Sequence, residues 1–208
     1  MRPDLNPPTP PVSIGVHDAI CVAIYHCGKQ KNTFNDKAEP QDKIVLVFEI
    51  PSERMRYTDK EGVSRDMPRV LSKTYTYCFF GKLEEHVASW MGVTFTDEKR
   101  EATDFCRLLG KAAQIVVEHK EKKTGGIRAV IANIVPAKPG ASIETEGRKV
   151  LFQVTEDDEI PGETTDWIRK MIEDSPEWQA RRQQNERGGM AEQFAEATTE
   201  ATSDAIPF

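Results

Sequence analysis

The hydrophobic pattern changes period several times along the chain. From Val16 to Cys27 apolar and β-branched residues run almost unbroken, Val22, Ile24 and His26 alternating with Cys21, Ala23, Tyr25 and Cys27, which predicts a long strand. Lys43–Ile50 predicts a second strand, ended by Pro51. Val70–Phe80 predicts a third, with Lys73, Tyr75, Tyr77 and Phe79 on one face and Ser72, Thr74, Thr76 and Cys78 on the other. The polar, basic stretch 52–69 between them reads as a long hairpin connection. The period then turns helical: Leu83, His86, Val87, Trp90 and Met91 share a face, and Gly92 closes the helix. Thr96 is placed to cap a second helix with Ala102, Phe105, Leu108 and Leu109 on its apolar face and Gly110 just beyond it. Strands return at Ala112–His119 and Ile127–Val135, joined by the basic turn Lys120–Gly126.

Outside this unit the pattern thins. Residues 1–12 hold five prolines and no periodicity, so 1–13 reads as a flexible arm. After Gly140 come an apolar patch, Val150–Val154, and an acidic cluster, Glu156–Glu159. A helix capped by Thr165 or Asp166 follows, with Trp167, Ile168, Met171 and Ile172 on one face; Ser175-Pro176 announces another. Gly188-Gly189 breaks the chain, and no Lys or Arg occurs beyond it. The expected organisation is a domain over 14–140, a helical extension over 141–187 and a disordered acidic tail over 188–208.

Three strands, a helical insert and two strands is the connectivity of an OB-fold. The expected fold is therefore mainly β: a five-stranded Greek-key barrel with a helical insert between strands 3 and 4, C-terminal helices and the acidic tail.

Charge sharpens this picture. The 208 residues include 28 basic and 34 acidic ones, a net charge of -6 that, taken whole, argues against nucleic acid as a partner. Residues 1–140, however, carry 21 basic against 18 acidic residues, or +3, and residues 141–208 carry 7 against 16, or −9. No apolar run approaches the ~20 residues of a membrane-spanning helix, and the N-terminus lacks an apolar signal region, so a cytoplasmic setting is expected. Cys21, Cys27, Cys78 and Cys106 form no C-x-x-C pair and fit no common zinc spacing; reduced thiols, with no metal or cofactor, are expected. No nucleophile–base pair, phosphate loop or paired-carboxylate motif stands out. His17-Asp18 and Glu156–Glu159 come nearest and read as surface features, so no catalysis is expected.

OB-folds bind ligands across strands 2 and 3, flanked by the 1–2 and 4–5 loops. Here those loops, Gly28–Gln41 and Lys120–Gly126, both carry lysines. Single-stranded nucleic acid needs cations along its backbone and aromatic faces for its bases. The phosphate-binding candidates are Lys29, Lys31, Arg54, Arg56, Lys73, Lys122, Lys123 and Arg128; the stacking candidates are Phe48, Tyr57, Tyr75 and Tyr77. Plainer readings stand beside these. Tyr75, Tyr77 and Phe79 share a face that a barrel core would also use, Trp90 reads as core, and Glu53, Asp59, Glu61 and Asp66 make 54–69 equally a solvated loop.

The terminal Asp204-Ala205-Ile206-Pro207-Phe208 resembles the acidic Ile-Pro-Phe tail of bacterial single-stranded DNA-binding proteins, with Ala205 where a second acid is usual. The body is similar instead to OB-fold single-stranded DNA-binding proteins of tailed bacteriophages. The similarity lies in Gly15-Val16-His17, Phe48-Glu49-Ile50, Leu71-Ser72-Lys73-Thr74-Tyr75-Thr76, Ser89-Trp90-Met91-Gly92 to Phe95, Leu108-Leu109-Gly110-Lys111-Ala112 and Asp166-Trp167-Ile168. The resemblance implies sequence-independent binding of single-stranded DNA in phage replication, recombination or repair, in the cytoplasm of a bacterial host. It also implies recruitment of replication or recombination proteins through Asp204, Ile206, Pro207 and Phe208. The acidic tail is further expected to compete with DNA for the protein's own basic groove. An adaptor that docks replication proteins through barrel and tail, without DNA affinity, is the alternative.

Overall fold

A strand that is apolar on both faces must be covered on both. The structure, a computed structural model, describes residues 10–31, 39–58 and 62–185, with only the backbone of Tyr57 and Thr58. In it, β1 (Gly15–Gln30) is such a strand: Ala19 to Tyr25 are all buried. Around it stand β2 (Gln41–Thr58), β3 (Ser64–Thr76), β4 (Ala112–Glu121) and β5 (Ile127–Pro136), in the order β3-β2-β1-β4-β5, every neighbouring pair antiparallel. A sixth strand, β6 (Val150–Gln153), pairs parallel with β1 at Ala23–His26. One edge of β1 is thus shared, Gly15–Ile20 bonding to β4 and Ala23–His26 to β6.

The first apolar cluster gathers Ile24, Leu46, Phe48, Ile115 and Ile134 from the sheet. Closing on it are Leu83, Val87 and Trp90 of α1 (Lys82–Met91) and Phe105 and Leu108 of a 3₁₀ turn (Phe105–Leu108). Gly92 ends α1 as expected, at φ 63°, a left-handed conformation that glycine adopts without steric cost. The second cluster lies on the opposite face. Ala23, Tyr25, Cys27 and Val45 meet Val150 and Phe152 of β6, Ile168 and Ile172 of α3 (Asp166–Glu173), and Trp178 of α4 (residues 176–185). Gly28 is required here: its φ is +72°, and a Cβ would stand 2.7 Å from Glu177 Oε2, which accepts the Lys29 N–H at 3.0 Å.

Several expectations change. β2 continues past Pro51: its register with β3 slips between Ile50 and Arg54 and resumes at Arg54↔Pro68, so 52–69 holds a two-stranded ribbon. Proline is tolerated where a bulge removes the ladder bond it cannot donate. The second helix splits into α2 (Asp97–Glu101) and the 3₁₀ turn, because the Asp104 carboxylate accepts the Cys106 N–H and starts a new turn. The segment 141–187 includes β6 as well as helices, and it completes the sheet. The arm reading of 1–13 also shortens, since Val12 is buried in the first core and its carbonyl bonds the His119 ring at 2.8 Å. Residues 1–9 of the arm and the tail lie outside the described residues.

Because the second cluster is built on β1 and β2, the C-terminal segment and the sheet should unfold together. Trp178→Ala, which removes the ring packed 6.0 Å from Phe152, is expected to cost about 3–5 kcal/mol. Urea unfolding should remain one transition; two transitions would mark 141–185 as a separate unit.

A second prediction concerns acid. His86 is buried, its Nδ1 2.9 Å from the Tyr75 hydroxyl, and burial, helped by the charge of Lys73, holds its pKa down at about 4. The unfolded chain protonates near 6.5, so it binds more protons and stability falls as pH drops from about 6.5 to about 4. The loss between pH 6.5 and 5 is expected to be about 1.5 kcal/mol, above the range where carboxylates such as Glu53 are lost. His86→Gln should flatten that window in urea titrations; an unchanged slope would clear His86 of the effect.

Candidate functional site

The C-terminal segment covers the outer faces of β1 and β2, which removes part of the surface across strands 2 and 3 that the barrel pattern offered for a ligand. The opening shifts to the far edge of β3. There the sheet curls until β3 and β5 approach, and Lys73 Nζ donates to the Ile131 carbonyl at 2.5 Å, bridging strands that share no ladder. The resulting groove has a volume of about 610 Å³. Its walls are Val70–Thr74 of β3 and Arg128–Ile131 of β5, with Lys120 at the end of β4 and Trp167 in the first turn of α3.

Register explains the cations. Lys120 and Arg128 are direct partners across the β4–β5 hairpin, so two exposed basic side chains stand beside one another. Lys73 is half-buried opposite them, 5.8 Å from the centre of the Tyr75 ring. Its pKa is held below the ordinary lysine value by burial first and then by the charges of Lys120 and Lys82, against a weaker upward pull from Glu118 and Glu85. Crowded like charges are a standing electrostatic cost, which a bound anion would relieve. Beside them the Trp167 indole is 45% exposed. Cations lining a trough, with a flat aromatic face at its edge, can hold an extended polyanion that carries planar rings.

Of the twelve residues expected in such a site, the groove gathers Lys73 and Arg128. Lys122 and Lys123 are exposed next to it, in the β4–β5 turn closed by the Lys122 N–H on the Gly126 carbonyl. Two expectations, Phe48 and Tyr75, are overturned, and Arg54 is found ion-paired. Phe48 is fully buried, edge-on to Trp90 at 5.4 Å, and Tyr75 is buried with its hydroxyl on His86; neither ring has a face for a base. Arg54 is committed elsewhere, gripping Glu146 with both terminal nitrogens and Asp66 with Nε. Tyr77 is 41% exposed but lies past the end of β3, against the His26 and Phe105 rings. Lys29 and Lys31 are exposed at the far end of β1, and Arg56 is exposed on the ribbon; none of the three lines the groove. The Tyr57 side chain, Asp204, Ile206, Pro207 and Phe208 lie outside the described residues.

Two groove residues, Trp167 and Lys120, were not among the candidates. Trp167 shares the helical face of Ile168 and Ile172 in the pattern. Those two residues face the sheet, however, and one residue's rotation, about 100°, turns Trp167 to the rim. The signal lay in α3's brevity: eight residues have room for one buried stripe.

Among the described residues no group of three His, Cys, Asp or Glu is placed to hold a metal ion. Burial pushes the Cys21 and Cys27 thiols up to about 12, which leaves them protonated and unreactive. No helix among the described residues is long and apolar enough to cross a membrane. No family model matches the chain, and no curated protein matches it in sequence.

The cation crowding is directly measurable. Lys120→Ala is expected to raise the Lys73 pKa toward the ordinary lysine value in a side-chain NMR titration. An unchanged pKa would remove Lys120 from the causes and leave burial and Lys82.

Proposed function

We propose that the protein is a non-catalytic, sequence-independent single-stranded DNA-binding protein, and that the strand lies in the groove between β3 and β5. The observation that carries this reading is the meeting of Lys73, Lys120 and Arg128 with the exposed Trp167 in one trough. Cations attract phosphates whatever the sequence, and an indole stacks any base, each stacked base contributing ~1–3 kcal/mol.

The curled sheet is read as an OB-fold barrel: a β1–β2–β3 meander, a helix between β3 and β4, and a β4–β5 hairpin returning to β1. On this reading the ligand is displaced from strands 2 and 3 toward the β3–β5 seam, because the C-terminal elements occupy the outside of β1 and β2. The setting proposed is phage replication, recombination or repair in the bacterial cytoplasm. There Asp204, Ile206, Pro207 and Phe208 would recruit phage or host partner proteins.

Anisotropy of a labelled oligo-dT, titrated over a range of salt, tests this. Binding is expected at low salt and should weaken steeply as salt rises. Trp167→Ala should cost about 5- to 150-fold in affinity, one base's stacking. Lys120→Ala and Arg128→Ala should each lower the salt slope by about 0.7, and Arg54→Ala should leave affinity unchanged. Absent or salt-insensitive binding would sink the reading in favour of a protein adaptor.

A further inference from the structure

Phe80 breaks two rules at once. Its side chain is 81% exposed, although burying such a ring would be favourable. Its φ of 64° is left-handed, and it is the one such non-glycine residue among those described. The conformation is held in place from beneath. The Phe80 N–H donates to Glu84 Oε2 at 2.8 Å, and Glu84 in turn accepts two bonds from Arg100, Nε at 3.1 Å and Nη2 at 2.7 Å. The Arg100 guanidinium lies 4.1 Å from the centre of the Phe80 ring, a cation–π contact that backs one face of it. Arg100 and Glu84 are largely shielded, at 18% and 14% side-chain exposure, so the support is firm. A left-handed backbone and a ring braced on one face but left open to solvent are features that persist when the ring serves a ligand.

The surroundings identify the ligand's class. Phe80 opens on a cleft of about 700 Å³ that also contains Phe95, Thr94, Lys82 and Glu85. Lys82 and Glu85 stand in the first turn of α1, which packs against β5 and β3, the two walls of the groove, so cleft and groove lie on adjoining elements. The cleft's cations are matched by its acids, Lys82 with Glu85 and Arg100 with Glu84. A charge-balanced aromatic site suits a neutral planar ring better than a phosphate.

Building on the groove reading, we propose that Phe80 is a second stacking platform: a nucleobase of a strand leaving the groove past Lys82 stacks on the outer face of the Phe80 ring, with Arg100 as the positioning residue behind it.

The test is Phe80→Gly in the full chain. Glycine adopts the left-handed backbone freely, so the thermal midpoint should stay the same or rise, which separates lost binding from lost folding. Oligo-dT affinity is then read by anisotropy against strand length. For strands long enough to leave the groove, Phe80→Gly should weaken binding about 5- to 150-fold, and the shortest strands that bind should be unaffected. In addition, 5-iodo-deoxyuridine oligonucleotides should photocrosslink to the peptide containing position 80 in a Phe80→Trp variant. Wild-type binding that Phe80→Gly leaves unchanged at every length, or crosslinks absent from that peptide, would overturn this inference while the groove reading stands. No oligo-dT binding by the wild-type protein would overturn both.

Discussion

The structure depends on the burial of β1 on both faces. An antiparallel strand with one wet face alternates apolar and polar residues, but Ala19 to Tyr25 are buried without a break. One face is covered by the helical insert between β3 and β4. The other has no cover within residues 14–140 and takes it from β6, α3 and α4, which is why a segment rich in acids is nonetheless anchored by Phe152, Ile168, Ile172 and Trp178. Removing that segment would leave a patch of Ala23, Tyr25, Cys27 and Val45 open to water.

The same constraint shapes the candidate site. A chain that comes back across the sheet must be held where it crosses, and Glu49 does this. Its buried carboxylate accepts the Glu146 and Gly147 N–H groups at 3.0 and 3.1 Å and the Thr145 hydroxyl at 3.1 Å. Arg54 grips the same turn from outside through Glu146. A basic residue that looked available for phosphate is therefore part of a clasp, whereas Lys73, Lys120 and Arg128 gather at the opposite edge, where β3 and β5 approach without pairing.

Much of the fold was legible because its signals are local. The alternation in β3, the apolar face of α1 with Gly92 behind it, the Thr96 cap and the β4–β5 turn all rest on neighbours within a few residues. What escaped depends on distant partners. Val150–Val154 was visible as apolar, but only β1 makes it a strand. Pro51 looked like a stop, since nothing nearby reveals that a bulge absorbs it. The aromatics show the limit most clearly. On β3, Tyr75 follows the same alternation whether its face meets core or solvent, and its pairing with His86, eleven residues on, decides the matter. Trp167 erred in the other direction, its place at the rim being set by how Ile168 and Ile172 seat on the sheet.

The net charge of -6 is a poor guide to such a surface. Arg54, Arg100, Lys82 and Arg181 are each spoken for by a carboxylate, so they add to the count of cations and little to the field. Lys73 works in reverse: burial first, and then the charge of Lys120 beside it, raises the cost of its own charge. A ligand that brings negative charge recovers those costs on binding, so two or three cations without a carboxylate partner in a trough attract it more strongly than a larger number already ion-paired. An acidic protein can on these terms present a surface suited to a polyanion, provided its acids are tied to other cations or lie elsewhere along the chain.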